Sequence, residues 1–372
     1  MDLGLFMMPA HPPERSLGEA HAVDLQTLAH ADRMGIREAW IGEHFTQPWE
    51  PICAPDLMIA QALMQTEQIV LAPGAHILPY HHPAELAHRV AYLDHIAGGR
   101  LMLGVGSGGT PTDWTLFGID GPGGQGRRMM WESLEIMERL WTESEPFTIE
   151  GEFWTVNQPE AILDGGMRPH IRCFQDPYPQ IGIAGLSPAS PTLHQAGRRG
   201  LIPLSLGLSS RYLAGHWATI QEGAEAVGRH ADPARWRVGR EVLVAETDAE
   251  ARRLALDGMM GRMAREFLIP SYQAFGFLEF AKADPEHADA DVTPEYLLDH
   301  GWLVGSPDTV AAKITELVEQ IGPFGVLLAN SYDYGDDQDA WDRSLTLLAE
   351  EVLPQVSGLS PSPDRGLSAR AA

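Results

Sequence analysis

Short apolar runs that alternate with stretches of helical periodicity constrain this chain more than any other feature, because they recur four times within about its first 110 residues. Leu3 to Met8 is a continuous apolar run. Beyond a Pro-rich loop, Val23, Leu25, Leu28 and Ala31 recur at helical spacing between Ala20 and Met34, and the pattern stops at Gly35. Ala39 to Gly42 predicts a second strand with a helix over Pro55 to Met64, and Ile69 to Ala72 a third strand. The helix after it, Pro83 to Ile96, is closed by Gly98-Gly99, and Leu101 to Val105 is a fourth strand. Unbroken apolar strands joined by helices describe a parallel sheet covered on both faces, and eight such units close into a barrel.

The second half supplies the other four strands: Gln180 to Ala184, Leu201 to Leu206, Arg237 to Ala245 and Phe324 to Ala329. A helix runs from Arg127 to Trp141. Two β-like runs within Pro146 to Val156, on either side of Glu150-Gly151, predict a hairpin inserted outside the barrel. The expected fold class is therefore α/β, a single-domain (β/α)8 TIM barrel over residues 1–356, with insertions near 106–126, 142–179 and 276–300. Ala281 to Thr293 is too polar to pack and reads as a surface excursion or mobile flap. The Ser, Pro and Gly content from Ser357 onward predicts a disordered tail over 357–372. No internal repeat stands out beyond the βα unit itself.

Charge narrows the partners. Lys and Arg total 26 against 51 Asp and Glu in 372 residues, a formal charge of -25, which repels nucleic acid and an anionic membrane surface. A phosphorylated cofactor must then be held locally, by backbone N–H groups, hydroxyls and one or two arginines. Cys53 and Cys173 have no metal-ligand spacing, so no metal is expected and a reducing, cytoplasmic setting is. Met1 to Pro9, with an acidic second residue and a proline-broken apolar run, is unlike a secretory signal, and no stretch approaches the roughly 20 apolar residues of a membrane span.

Four places carry chemistry. Arg37 to Phe45 runs from an apolar strand into Glu43-His44, and side chains at the C-terminal ends of barrel strands face the mouth where substrates bind. A His satisfied by Glu43 for structural reasons is the alternative. Pro79-Tyr80-His81-His82-Pro83 sets two histidines at a strand-to-helix turn, one expected towards the mouth and one towards solvent. Leu103-Gly104-Val105-Gly106-Ser107-Gly108-Gly109 lets a flat ring or phosphate approach backbone closely; with no helix expected directly after it, it is a poor dinucleotide fingerprint. Ala184, Gly185, Ser187, Ser190 and Thr192 lie between the fifth strand and a helix, where amides and hydroxyls either cap the helix or bind phosphate, with Arg127 and Arg128 as candidate positive charges.

Glu38 to His44, Leu78 to Pro83, Leu93 to Arg100 and Leu103 to Gly106, in this order, resemble the bacterial luciferase-like flavin monooxygenase family, as do Val304 to Val310 and Phe324 to Leu328. Gly4 to Pro9 with His11-Pro12-Pro13, and Glu43-His44 followed by Pro48-Trp49-Glu50, look most like its limonene monooxygenase branch. The resemblance implies a TIM barrel that binds reduced FMN, delivered by a separate NAD(P)H:flavin reductase, and oxygenates a small hydrophobic substrate with O2 through a C4a-hydroperoxyflavin. His44 matches the family's active-site histidine, supported by Glu43 and His82. Gly74-Ala75 matches the strand end beneath the flavin ring, where relatives often carry a non-prolyl cis peptide. Gly106 and Ser107 lie nearby, and Ser107 stands where bacterial luciferase has a phosphate-binding arginine, which shifts that task to Arg127 or Arg128 and the Ser187 to Thr192 loop. Phe6, Met8, Trp40, Phe45, Trp49 and Trp114 are candidates for an apolar pocket suited to a terpene or ketone. Two rivals remain: an F420-dependent oxidoreductase of the same superfamily, and a non-catalytic flavin-binding protein. A homodimer is the expected assembly.

Overall fold

The computed structural model describes residues 1–207 and 209–361. Nine strands form one parallel sheet: β1 (Asp2–Ala10), β2 (Glu38–Ile41), β3 (Val70–Pro73), β4 (His76–Ile77), β5 (Leu103–Gly106), β8 (Ile181–Gly185), β9 (Ile202–Ser205), β10 (Arg237–Arg240) and β13 (Val326–Tyr332). Two further pairs lie outside it: β6 (Phe147–Glu150) with β7 (Thr155–Gln158), and β11 (Val242–Val244) with β12 (Leu303–Gly305). The order across the large sheet is β3-β2-β1-β13-β10-β9-β8-β5-β4. Its two ends are halves of one strand, broken at a cis peptide between Gly74 and Ala75, and Leu71 bridges Leu101 to bring the edges together. The sheet is an eight-stranded barrel whose third strand is interrupted.

Within the large sheet, β3 runs directly into β4, and every barrel strand then leads to a helix on the outer face. The first are α1 (Leu17–Arg33), α2 (Pro55–Ala62), α3 (Pro83–Ala97), α4 (Pro111–Phe117) and α5 (Gln125–Thr142). Next come α6 (Pro191–Arg199), α7 (Ser210–Glu225) and α8 (Asp248–Asp257). Ser16 and Glu19 form a capping box that starts α1, and Gly98 in the left-handed region ends α3. The apolar helix faces bury Leu28, Ile59, Leu86, Val90, Leu134 and Met137 against the outward strand residues. Inside the barrel Phe6, Trp40, Ala72, Ile202, Leu204, Val326 and Leu328 form a second core. Trp40 belongs there and not to a substrate pocket: a Cβ at Gly74 would lie 2.6 Å from the Trp40 side chain and one at Gly182 2.5 Å, so two glycines make its room. Towards the N-terminal end of the barrel, Arg237 grips Glu38 through two bonds of 2.9 and 3.0 Å, and Trp40 Nε1 donates to the same carboxylate at 2.8 Å.

Three expectations are corrected. The run Arg237 to Ala245 is not one strand: β10 ends at Arg240, and after Glu241 the chain leaves the barrel as β11 to pair with β12. Apolar content alone does not separate a barrel strand from one sandwiched outside it, since both are buried. Ala281 to Thr293 does pack in part, because Lys282 is buried in an ion pair with Asp289, and Val292 is buried too. Residues 357–361 are also ordered: the Met1 ammonium donates to the Ser357 and Ser360 carbonyls at 3.0 and 2.8 Å, and Ser360 is buried. The rest of the expected tail lies outside the described residues. The hairpin β6–β7 has the expected antiparallel pairing, and its turn is held by Glu132 of α5, whose carboxylate accepts from the N–H groups of Glu152, Phe153 and Trp154.

Candidate active site

β2 delivers Glu43 and His44 to the C-terminal mouth of the barrel, and the two side chains find different partners. His44 Nε2 lies 3.4 Å from Glu50, and its Nδ1 lies 3.6 Å from Asp113 and 3.3 Å from the Thr110 hydroxyl. Asp113 sits in the first turn of α4, which opens two residues after Gly109; the expectation that no helix follows the glycine run is wrong, and that helix is what brings a carboxylate to the imidazole. Burial opposes charge on His44, but the carboxylates of Asp113 and Glu50 outweigh it and raise its pKa above the ordinary histidine value. The protonated ring is thus favoured over that of an ordinary histidine, with Nε2 on the side of Glu50.

Glu43 is buried at 1% exposure. Its carboxylate accepts from Ile77 N at 2.6 Å, pairs with His81 Nε2 at 2.7 Å and lies 3.6 Å from His76 Nδ1. Burial pushes Glu43 up, yet the two imidazoles pull it down to about 2. One carboxylate and two imidazoles within 4.8 Å of one another are a possible metal donor set, which the sequence spacing did not suggest. The 2.7 Å contact is a hydrogen bond, shorter than the roughly 3.3 Å between two ligands of one tetrahedral ion. His82, the expected supporting histidine, instead caps α3 by accepting from Ala84 N and meets Trp154 of the hairpin edge-on. Pro83 at the first helical position puts His82 in the N-cap, so it turns outward and His81 turns in.

Ala75 lies in the break between β3 and β4, Gly106 ends the neighbouring β5, and a Cβ on Gly106 would stand 3.4 Å from that of Ala75. Beside them Tyr80 Oη and Trp114 Nε1 are buried without hydrogen-bond partners, both close to Gly108, where a Cβ would lie 2.6 and 3.1 Å away. Ser107 lies in this loop, its carbonyl against Gly126 of α5. Ser190 is the N-cap of α6 and bonds the Thr192 hydroxyl at 3.0 Å; a Cβ on Gly185, at the tip of β8, would lie 2.7 Å from Ser190 Oγ. Ala184 packs against the barrel-interior core, and the Ser187 carbonyl bonds His216 Nε2 at 2.9 Å. Arg127 borders a shallow pocket with Ala189 and Pro191, next to this helix N-terminus. Arg128 pairs instead with Glu152 of the hairpin at 3.1 Å.

Phe6 and Met8 line a cavity of about 170 Å³ with Glu50, Leu186, Leu206, Gly207, Glu241, Met263, Tyr272, Phe277, Phe280 and Asn330. The other three aromatic candidates lie elsewhere. Phe45 packs edge-on against Tyr80 and Phe117, Trp114 stands by Gly108, and Trp49 is buried in a stack on Phe267. Glu50, Asp113, Glu241 and Asn330 were missed by sequence reasoning as site residues, and of the two histidines at 81 and 82 it chose His82 as the supporting group where the structure turns His81 inward. The one signal was that Glu50 closes the Pro48-Trp49-Glu50 motif after His44.

The family model described as luciferase-like monooxygenase matches residues 1–323. The chain belongs to that family. Among members of the luciferase-like monooxygenase family, 3,6-diketocamphane 1,6-monooxygenase of Pseudomonas putida is 38% identical over 96% of this chain and 98% of its own. Limonene 1,2-monooxygenase of Rhodococcus erythropolis is 30% identical over 96% and 87%. The structure of the oxygenating constituent of 3,6-diketocamphane monooxygenase from Pseudomonas putida, described as a type II Baeyer-Villiger monooxygenase in complex with FMN, superposes with a TM-score of 0.91. It is 36% identical and covers 98% of this chain and 100% of that one. Among the described residues, no helix is long and apolar enough to cross a membrane.

Proposed function

We propose that this protein is the oxygenating component of a two-component monooxygenase, using reduced FMN and O2 to insert one oxygen atom into a small hydrophobic terpene- or ketone-like substrate. The observation that carries the reading is His44, a half-buried imidazole whose partner Glu50 also lines the cavity of Phe6 and Met8. The residues fit FMN. Ala75 and Gly106 offer a floor without bulk, and Tyr80 and Trp114 hold buried donors without partners. Ser187, Ser190 and Thr192 at the start of α6, with Arg127 beside it, suit a phosphate. Reduced FMN, when bound, supplies the electrons that activate O2.

The chain's own residues do the rest. His44 Nε2 holds the proton that the departing oxygen needs, while Asp113 and Thr110 at Nδ1 keep the ring in place. Glu43, His81 and His76 tie the end of β2 to the start of β4, which fixes the mouth on that side. Phe6, Met8, Leu186, Phe277 and Phe280 exclude water from the reacting centre. The cavity, smaller than the roughly 300–1,000 Å³ of drug-sized pockets, favours a compact molecule over a long chain. A separate reductase as flavin donor is part of the proposal, as is a homodimer through α2, the turn after it and α3, which expose Leu57, Met64, Tyr92 and Ile96.

Isotope tracing tests the reading. With FMN, an NADH-dependent flavin reductase and labelled O2, one labelled oxygen atom is expected in a compact terpenoid product. Failure to bind reduced FMN, or tight binding of reduced F420 in its place, overturns it.

A further inference from the structure

Outside the barrel, the first turn of α7, β12 and the helices Pro294–His300 and Pro307–Ile321 border a crevice of about 460 Å³. It shares no lining residue with the cavity of Phe6 and Met8. Arg240, the last residue of β10, lines the crevice, while Glu241 directly after it lines the cavity. Arg240 is buried and donates to Ser210 Oγ at 3.1 Å. Lys313 Nζ is held beside it by the carbonyls of Trp302 and Val304 at 3.1 and 3.0 Å, and Arg211 stands at the exposed mouth. Two carboxylates also line the crevice, Asp299 and Glu316, but Asp299 is already paired with Arg252 at 2.6 Å. In a chain of formal charge -25, this local excess of cations draws an anion. The N-terminus of α7 adds to it: Ser209 makes no side-chain cap, and its hydroxyl is buried without a partner.

We propose that this crevice binds a phosphate group, free or carried on a small organic molecule, and that its occupant braces the outer wall of the substrate cavity. The site is distinct from the flavin-phosphate site proposed at α6, and the inference does not depend on the oxygenase reading. A guanidinium fork and an ammonium suit the tetrahedral oxygens of a phosphate. Burial pushes the Arg240 guanidinium down to about 10 in spite of Glu241, and lowers Lys313 although Asp299 and Asp248 pull it up; a phosphate oxygen between the two offsets that burial. The volume exceeds what a bare phosphate fills, and Ala214, Leu303 and Leu317 give the rest of an organic group an apolar wall. Two backbone bonds join the crevice to the substrate cavity. Ser209 N donates to the Phe280 carbonyl at 3.0 Å, and Leu303 N to the Glu241 carbonyl at 2.9 Å. Phe280 and Glu241 line the cavity, so fixing α7 and β12 from outside fixes that wall.

Calorimetric titration of the full-length protein with AMP, inorganic phosphate and adenosine, in buffer free of phosphate and sulfate and with FMN in excess, reads the site directly. Wild type is expected to bind AMP and phosphate, and adenosine at least roughly tenfold more weakly than AMP. AMP binding tighter than phosphate makes the occupant an organic phosphate, and phosphate binding without AMP makes it the free ion; either outcome supports the site. Arg240→Met and Lys313→Gln should weaken binding roughly 10- to 100-fold, and Arg211→Ala roughly 3- to 10-fold. Glu316→Gln removes a like charge and should tighten it about two- to fivefold, a gain that a merely structural role does not produce. Arg211 and Glu316 are exposed, so their variants keep the test open even where Arg240→Met fails to fold. Hydrogen exchange at the Ser209 and Leu303 amides should slow when AMP or phosphate is added. Absence of binding by both phosphates, equal binding of adenosine and AMP, or affinities unmoved by Arg211→Ala and Glu316→Gln overturn the site, and unchanged exchange at both amides overturns the bracing. A protein that binds AMP through these residues but no FMN refutes the oxygenase reading and leaves this inference standing.

Discussion

The Glu43 carboxylate lies 2.7 Å from Nε2 of His81, thirty-eight positions away, and not against its neighbour His44. With Ile77 N on its other oxygen at 2.6 Å, this buried pair fastens the end of β2 to the loop that follows β4. The acid-imidazole dipeptide at the end of β2 is therefore two separate devices. Glu43 holds the wall of the mouth, and His44 faces Glu50 and Asp113.

Replacing His81 tests that division. His81→Ala leaves a buried carboxylate short of a partner and should cost about 2–3 kcal/mol, read as a lower denaturant midpoint and weaker flavin retention. His82→Ala removes only a helix cap and should cost less than about 1 kcal/mol, with turnover unchanged. Equal effects of the two substitutions contradict the assignment.

His44→Ala should lower product formation roughly 100-fold or more, while consumption of reduced flavin continues and appears as hydrogen peroxide. Because the His44 pKa is raised, product yield should hold through neutral pH and decline only as pH rises beyond the ordinary histidine range. A yield that increases on deprotonation would mean that the imidazole works as a base.

For the cofactor phosphate, Arg127→Ala should weaken FMN binding roughly tenfold and leave riboflavin binding unchanged, as measured by flavin fluorescence. Arg128→Ala should alter neither, since its guanidinium is engaged by Glu152 on the hairpin. Loss of FMN with the second substitution alone would reverse the two roles.

His11 is expected to make stability depend on pH. It is buried between Asp24 and Asp333, at 3.1 and 2.7 Å. Burial disfavours its charge, but the two carboxylates raise it to about 9. Burial also pushes Asp24 up; the direction that governs the triad is a retained proton on His11, which has two carboxylates to hold it. A raised folded-state pKa contributes stability that is fully present below about 6.5 and is lost as pH rises towards about 9, on the order of 3 kcal/mol. Chemical denaturation across that window should follow this decline in wild type and be flatter in His11→Asn.

Much of the barrel is legible in the chain because strands buried on both faces need unbroken apolar runs, and helices need caps and glycine stops; Leu3 to Met8 and Gly98-Gly99 are such signals. His44 is legible for a related reason, since a polar residue directly after such a run must sit at a strand tip. Its partners are not. Asp113 reaches it from a helix that follows a glycine run, and Glu50 from a loop whose path depends on the packing of Trp49 against Phe267. The His81 and His82 assignment turned on one residue of helix phase. Glu241 was hidden because it interrupts a run that looks like a single strand.

The order of residues alone determined the alternation of strands and helices, and with it a closed parallel barrel, because periodicity and capping are local properties of a chain. Only the folded molecule decided which carboxylate meets which imidazole, which arginine faces the start of α6 and which aromatic rings line the cavity. Those pairings join residues far apart along the chain, and their energies depend on burial and distance, which exist only once the barrel has closed.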